Sequence, residues 1–361
     1  MSRSSKAPMS IYPNPRSALC VARRRHAARR VRREAAWLSA CLLVVSLTVV
    51  VLARGEGRGA KSARPIRIGA LTESWGPTPP IVGLRDGLVH LGYRDEQDFF
   101  LGVRFTQGNR EALSIAAREL VDARADILFT DSNATAEAAQ QATTDIPIVF
   151  AGVEDPVGAG LIKSFAQPGG NMTGIASLDT ELGPKRLQLF HALVPTLKRV
   201  LFLYAADDIY AQQAARLYRW AAQQLGITLV EKVVRTGEEA QTALSDLRQL
   251  QVDGMLVPRC CALNISGFIL EAANQQAVPS MHVNRTFWIE HGALTAFGAN
   301  HYELGFQAAR IMDKILRGAH PATIPVEANS SIEFTINLRQ AHTLGLTIDP
   351  AVLVQADYVI R

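Results

Sequence analysis

The sequence predicts an α/β protein of two doubly wound parallel-sheet lobes preceded by an N-terminal signal or anchor segment. Three observations lead there. From Ile66 onward, short apolar runs alternate with amphipathic segments, the pattern of βαβ units around a parallel sheet. That rhythm occurs twice, without close sequence repetition, so two similar lobes are expected rather than tandem repeats. Residues 1–64 differ in composition from everything after them.

The leader comes first. It carries 14 of the 38 Lys and Arg residues but 2 of the 33 Asp and Glu, leaving 24 basic against 31 acidic residues, about −7, downstream. The overall charge of +5 therefore belongs to the leader, and the acidic remainder disfavours a nucleic-acid partner. Arg23–Arg25, Arg29, Arg30, Arg32 and Arg33 precede an uncharged stretch from Trp37 to Ala53. Basic residues stay on the cytoplasmic side, so the chain beyond is expected to be exported. As a helix the stretch would span roughly 25 Å, short of a full hydrocarbon core yet long for a signal peptide. A cleaved signal, with Val51-Leu52-Ala53 at the cut, and an uncleaved anchor are both open. Leu38–Cys41 has a lipoprotein-box composition, but most of the apolar core follows Cys41 instead of preceding it. Gly55 to Pro65 reads as a linker.

In the first lobe, strands are expected at Ile66–Leu71, Leu101–Thr106, Ile127–Thr130 and Ile146–Ala151. Helices are expected at Val82–Leu91, stopped by Gly92, at Arg110–Arg124 and at Ala134–Ala142. Leu113, Ala116, Ala117, Leu120 and Val121 give the second of these an apolar face. A short helix is expected after Asp155. The second lobe has helices at Lys185–Leu193, Tyr210–Leu225, Glu239–Leu250 and Ile265–Gln276, with strands at Val200–Tyr204, Thr228–Val234 and Gly254–Val257. A long helix at Tyr302–Arg317, a strand near Ile332–Ile336 and a short helix from Leu338 to Leu344 complete the chain.

A series of short blocks carries a resemblance over Ile66–Arg361: RIGALTES (Arg67–Ser74), GLRDGLVHLGY (Gly83–Tyr93), AARELVDARADILFT (Ala116–Thr130), QATTDIPIVFAGVEDPVGAGL (Gln141–Leu161), PGGNMTGI (Pro168–Ile175), KRLQLFHALVP (Lys185–Pro195) and IMDKILRGAHPATIPVE (Ile311–Glu327). In this order they resemble the substrate-binding proteins of ABC importers, in the type I periplasmic-binding-protein group whose relatives include aromatic amino acid receptors. The resemblance implies a three-crossing hinge near Thr173–Ala176, Leu294–Gly298 and Ser331–Ile336. It divides the chain into lobe one, 65–175 with 299–331, and lobe two, 176–298 with 332–361. It further implies a small-molecule ligand, closure of the lobes around it, a monomer, and an ABC permease in the cytoplasmic membrane as partner.

Candidate ligand residues follow strand ends, where open α/β sheets bind ligands. Asp131-Ser132-Asn133-Ala134-Thr135 links a strand to a helix, so its small hydroxyls and unused amides suit either an N-cap or a carboxylate. Glu154 follows the strand Ile146–Ala151 and is placed to pair with a ligand ammonium, while Asp155 suits a cap. Glu73, Ser74 and Trp75 follow the first strand, with Trp75 either a cleft wall or a hinge cover. Tyr204 and Asp207 end a strand in lobe two, and capping is the better reading for one of the pair Asp207 and Asp208. By resemblance, Asn284 and Phe297 complete the rim, and Arg259-Cys260-Cys261 replaces a loop that is more often Asp/Pro-rich in relatives, which makes Cys260 a candidate where specificity differs from theirs.

Other functions are disfavoured. No His stands with a Ser or Cys as a triad, the first strand does not enter a Gly-x-Gly-x-x-Gly turn, and no His or Cys set has metal-ligand spacing. No cofactor, no metal and no catalysis are expected. The adjacent Cys260 and Cys261 read as free thiols, since a disulfide between neighbours is strained. Ligand sensing without transport is the alternative, and an α/β enzyme the weaker one.

Overall fold

The structure is a computed structural model in which residues 64–245, 247, 249–257, 266–284 and 288–361 are described. The leader, Cys260, Cys261 and Arg285 lie outside the described residues.

The first sheet is built by β1 (Ile66–Thr72), α1 (Pro79–His90), β2 (Phe99–Phe105), α2 (Ala112–Asp122), β3 (Ile127–Thr130), α3 (Asn133–Ala142), β4 (Ile148–Glu154) and β5 (Met172–Ser177). The chain then enters a second sheet through α4 (Gly183–Leu193), β6 (Arg199–Ala205), α5 (Ile209–Leu225), β7 (Thr228–Val234), α6 (Gly237–Leu244), β8 (Gly254–Val257), α7 (Ser266–Gln275), β9 (Ser280–His282) and β10 (Thr295–Ala299). It returns for α8 (His301–Leu316) and β11 (Glu327–Ala328), and ends in the second lobe with β12 (Ile332–Asn337), α9 (Leu338–Thr343), α10 (Pro350–Leu353) and β13 (Tyr358–Ile360).

The strand orders are β11-β5-β4-β3-β1-β2 and β13-β12-β10-β9-β8-β6-β7. Among the described residues, all strand pairings are parallel apart from β10 with β12. Three neighbouring segments therefore pass between the sheets: after β5, after β10 and before β12. This is the arrangement of a type I periplasmic binding protein, with the carboxyl ends of both parallel sheets available to form a cleft.

Each sheet is covered on both faces, which explains why central strands such as β4 are buried throughout. In lobe one, Leu84, Leu88, Leu304 and Met312 of α1 and α8 pack on one face, and Leu113, Ala117, Leu120 and Ala139 of α2 and α3 on the other. The α1 and α8 backbones nearly touch. A Cβ on Gly83 would collide with the Tyr302 carbonyl, and one on Gly305 with the Pro80 carbonyl. In lobe two, Leu187, Phe190, Ala215 and Tyr218 of α4 and α5 cover one face, and Leu244, Ile269 and Ala273 of α6 and α7 the other.

Some expectations change. The helix foreseen to Leu250 stops at Leu244. No helix follows Asp155, where residues 156–160 form turns that Gly158 and Gly160 (φ 71°) suit better than a helix. The short strands β9, β11 and β13, together with α10, had too few residues to show a period. Among the described residues, no helix is long and apolar enough to cross a membrane.

Candidate ligand-binding site

A cavity of about 450 Å³ opens where the strand ends of the two lobes face each other. Its walls are built differently.

The lobe-one wall is the start of α3. Ser132 is its N-cap: the Thr135 N–H donates to Ser132 Oγ (3.2 Å), and the Ser132 N–H donates to Thr135 Oγ1 (3.0 Å). This is a capping box with threonine in the place of the usual Glu or Gln. Ser132 Oγ also donates to Glu73 Oε2 at 2.9 Å, fixing a carboxylate that is 9% exposed. The Asn133 side chain holds the end of β4: its Oδ1 accepts from the Glu154 N–H (2.9 Å) and its Nδ2 donates to the Glu154 carbonyl (2.8 Å). The same Nδ2 donates across the cleft to Tyr210 Oη at 2.6 Å. With the side chains so used, the first-turn amides of Asn133 and Ala134 remain, and such amides have no partner within their own helix. Their position and the helix dipole favour an anionic group.

The lobe-two wall is charged and buried. Arg186, in α4, is 2% exposed and is held on three sides. Nε donates to the Phe297 carbonyl (2.7 Å), Nη1 to Tyr218 Oη (2.8 Å) and Nη2 to Asp179 Oδ1 (2.6 Å). Burial alone would lower the guanidinium pKa, but the Asp179 carboxylate and Tyr218 outweigh it and the net shift is upward. Burial raises the Tyr218 hydroxyl above its ordinary range. Phe202, Ala211, Ala214 and Val283 supply apolar surface beside this group.

At the mouth, Arg110 lies 3.6 Å from Glu73 and 3.5 Å from Asp207 of the opposite lobe. Asp208 caps α5, accepting from the N–H groups of Tyr210 (3.1 Å) and Ala211 (2.9 Å). Its pKa is raised, chiefly by burial, against the pull of those two N–H groups. Tyr210 is pushed up to about 12 by burial first and by surrounding carboxylates, Glu137 foremost, second.

Six sequence-derived candidates line the cavity: Glu73, Ser132, Asn133, Ala134, Glu154 and Asp207. Five others do not. Ser74 turns to its own loop, where its Oγ accepts from the Gly76 N–H (3.4 Å), and Trp75 is 65% exposed outside the cleft. Tyr204 points into the face of its sheet, packs at a tilt against Phe202 and donates to Glu231 (3.1 Å). Phe297 packs edge-on against Phe334 and reaches the site only through its carbonyl. Both follow from strand alternation, which sends side chains to the sheet faces. Asn284 is half-buried beside the cavity without lining it. Cys260 lies outside the described residues.

Asp179, Arg186 and Tyr218 were not foreseen. A signal existed for Arg186: it shares a helical face with Phe190 and Leu193, at i+4 and i+7, so its charge stands at a core position. Asp155, expected as a helix cap, closes a turn by accepting from the Gly158 N–H at 2.9 Å.

Residues 78–360 match the family profile described as ABC transporter substrate binding protein. A tyrosine-binding protein of Clostridioides difficile is 28% identical over 283 residues, which is 77% of this chain and 80% of that one. A Streptococcus structure of an ABC domain in complex with L-Trp superposes with a TM-score of 0.74 at 26% identity, covering 82% of this chain and all of the other. A conserved domain protein of Vibrio cholerae gives 0.73 at 29% identity, with the same coverage.

Proposed function

We propose, since the chain belongs to the ABC transporter substrate-binding protein family, that it captures an amino acid between its lobes outside the cytoplasmic membrane and delivers it to an ABC permease. The observation that carries this reading is the asymmetry of the cavity. One wall offers helix-start amides suited to a carboxylate, while among the described residues the cavity lining holds six carboxylates against two guanidiniums and so favours a cation. A zwitterion meets both demands. A sugar meets neither, and a dianion meets only the first.

In this reading the ligand carboxylate takes the Asn133 and Ala134 amides. Its side chain lies against Phe202, Ala211, Ala214 and Val283, which together leave room for an aromatic ring. The relative named for tyrosine binding and the similar structure in complex with L-Trp support that choice. The Asn133–Tyr210 and Arg110–Asp207 contacts join the lobes at the mouth, where closure would enclose the ligand. The chain acts by binding and release, without catalysis.

A thermal-shift panel of amino acids, sugars and small carboxylates tests the reading. Aromatic or branched amino acids are expected to raise the melting temperature, and stabilisation by sugars alone would overturn it. A C-terminal reporter that is active only in the cytoplasm should stay dark, and a bright one would refute export.

A further inference from the structure

Three cavity carboxylates are more than nine-tenths buried: Glu73, Glu154 and Asp179. They are not equivalent as cation receptors. Glu73 is engaged through both oxygens, Oε2 by the Ser132 hydroxyl and Oε1 by Arg110. Glu154 Oε2 receives both the Thr180 hydroxyl (2.8 Å) and the Thr180 N–H (3.3 Å), a task that fixes the segment leaving β5. Asp179 receives Arg186 on Oδ1 alone, and its Oδ2 accepts a hydrogen from no described residue.

We infer that Asp179 is the residue that holds the ligand's ammonium and selects for ligands with a free amino group. This rests on the reading of the cavity as an amino-acid site and assigns a role within it. The carboxylate is preset. Arg186 cannot turn, because Tyr218 and the Phe297 carbonyl hold its other nitrogens, so the oxygen it grips is fixed and the second is aimed by default. The neighbouring Gly298 has room only for hydrogen, since a Cβ there would press on Asp179 Oδ1 and on the Val283 carbonyl. A buried ionised oxygen without a donor is costly, and an ammonium brings three donors and the opposite charge. The site thus gains most from a protonated amine and little from a hydroxyl. Glu154 becomes a positioning residue acting through Thr180.

Binding of L-tryptophan and its des-amino counterpart, indole-3-propanoate, to wild type, Asp179→Asn and Glu154→Gln separates these roles. Wild type should prefer L-tryptophan. Asp179→Asn should lose about ten- to a hundred-fold for L-tryptophan, the range of a charged hydrogen bond. It should leave indole-3-propanoate unchanged, so the preference collapses. Glu154→Gln should keep the preference. A folded Asp179→Asn that retains the preference, or that loses both ligands equally, overturns the inference while leaving the amino-acid reading intact. Should Asp179→Asn fail to fold with Arg186 unpaired, Asp179→Asn with Arg186→Gln removes both buried charges and is read in the same way. Wild type that binds no aromatic or branched amino acid would overturn the underlying reading, and the inference with it.

Discussion

The two walls of the cavity solve one problem by different means. Lobe one presents backbone: α3 begins with a capping box, Asn133 ties it to β4, and the polar side chains are spent on holding the helix start in place. Lobe two presents side chains, with Arg186, Asp179 and Tyr218 locked together below the surface. A helix start tolerates change because its amides come from any residue, whereas a buried ion pair fails when either member is lost. Mutational sensitivity should therefore concentrate in lobe two.

The largest effect expected is that of Arg186→Met. It leaves Asp179 charged and buried without its partner, and should cost about 3–5 kcal/mol in urea unfolding. A loss under about 1 kcal/mol would mean that the pair is hydrated and the contrast between the walls false. Ser132→Ala removes only a cap and should cost about 1 kcal/mol, within the usual range for N-cap loss. A cost matching that of Arg186→Met would erase the distinction.

A third way to sharpen the contrast is pH. His282 of lobe two is fully buried, stacks on Trp288, and is pushed down to about 3 by desolvation. Below its ordinary value near 6.5 the unfolded chain takes up a proton that the folded one refuses, so stability is complete above about 6.5 and falls as pH drops toward 3. The slope attributable to this group is roughly 1 kcal/mol per pH unit. Urea melts at pH 7.5 and 5.5 should show it, and His282→Phe should flatten it. The smallest effect is that of Arg110→Gln. Arg110 is half-exposed and Asp207 more so, so stability should change by less than about 1 kcal/mol.

Much of lobe one was legible because its chemistry is local. Ser132 and Asn133 announce a helix start between an apolar strand and an alanine-rich helix, and Glu154 closes a buried run. The lobe-two wall is assembled from distant residues: Asp179 lies just past a crossing, Arg186 inside α4, Tyr218 in the third turn of α5. No spacing rule joins them, and a lone arginine in KRLQLFHAL reads as a solvent charge unless its helical phase is checked. Tyr204, Trp75 and Phe297 misled for the opposite reason. Aromatic residues near strand ends suggest a cleft wall, but strand alternation turned Tyr204 and Phe297 into the sheet faces and the loop left Trp75 outside. The double strand–helix rhythm was read correctly because it depends on periodicity alone, and β9 and β13, of three residues each, fell below what a period can reveal.

A crystal structure of the protein grown with L-tryptophan tests the central claim most directly. The ligand should lie between the lobes, its carboxylate within hydrogen-bond reach of the Asn133 and Ala134 amides and its ammonium within reach of Asp179 Oδ2. A ligand bound outside the cavity, or one with its carboxylate turned toward Asp179, would contradict it.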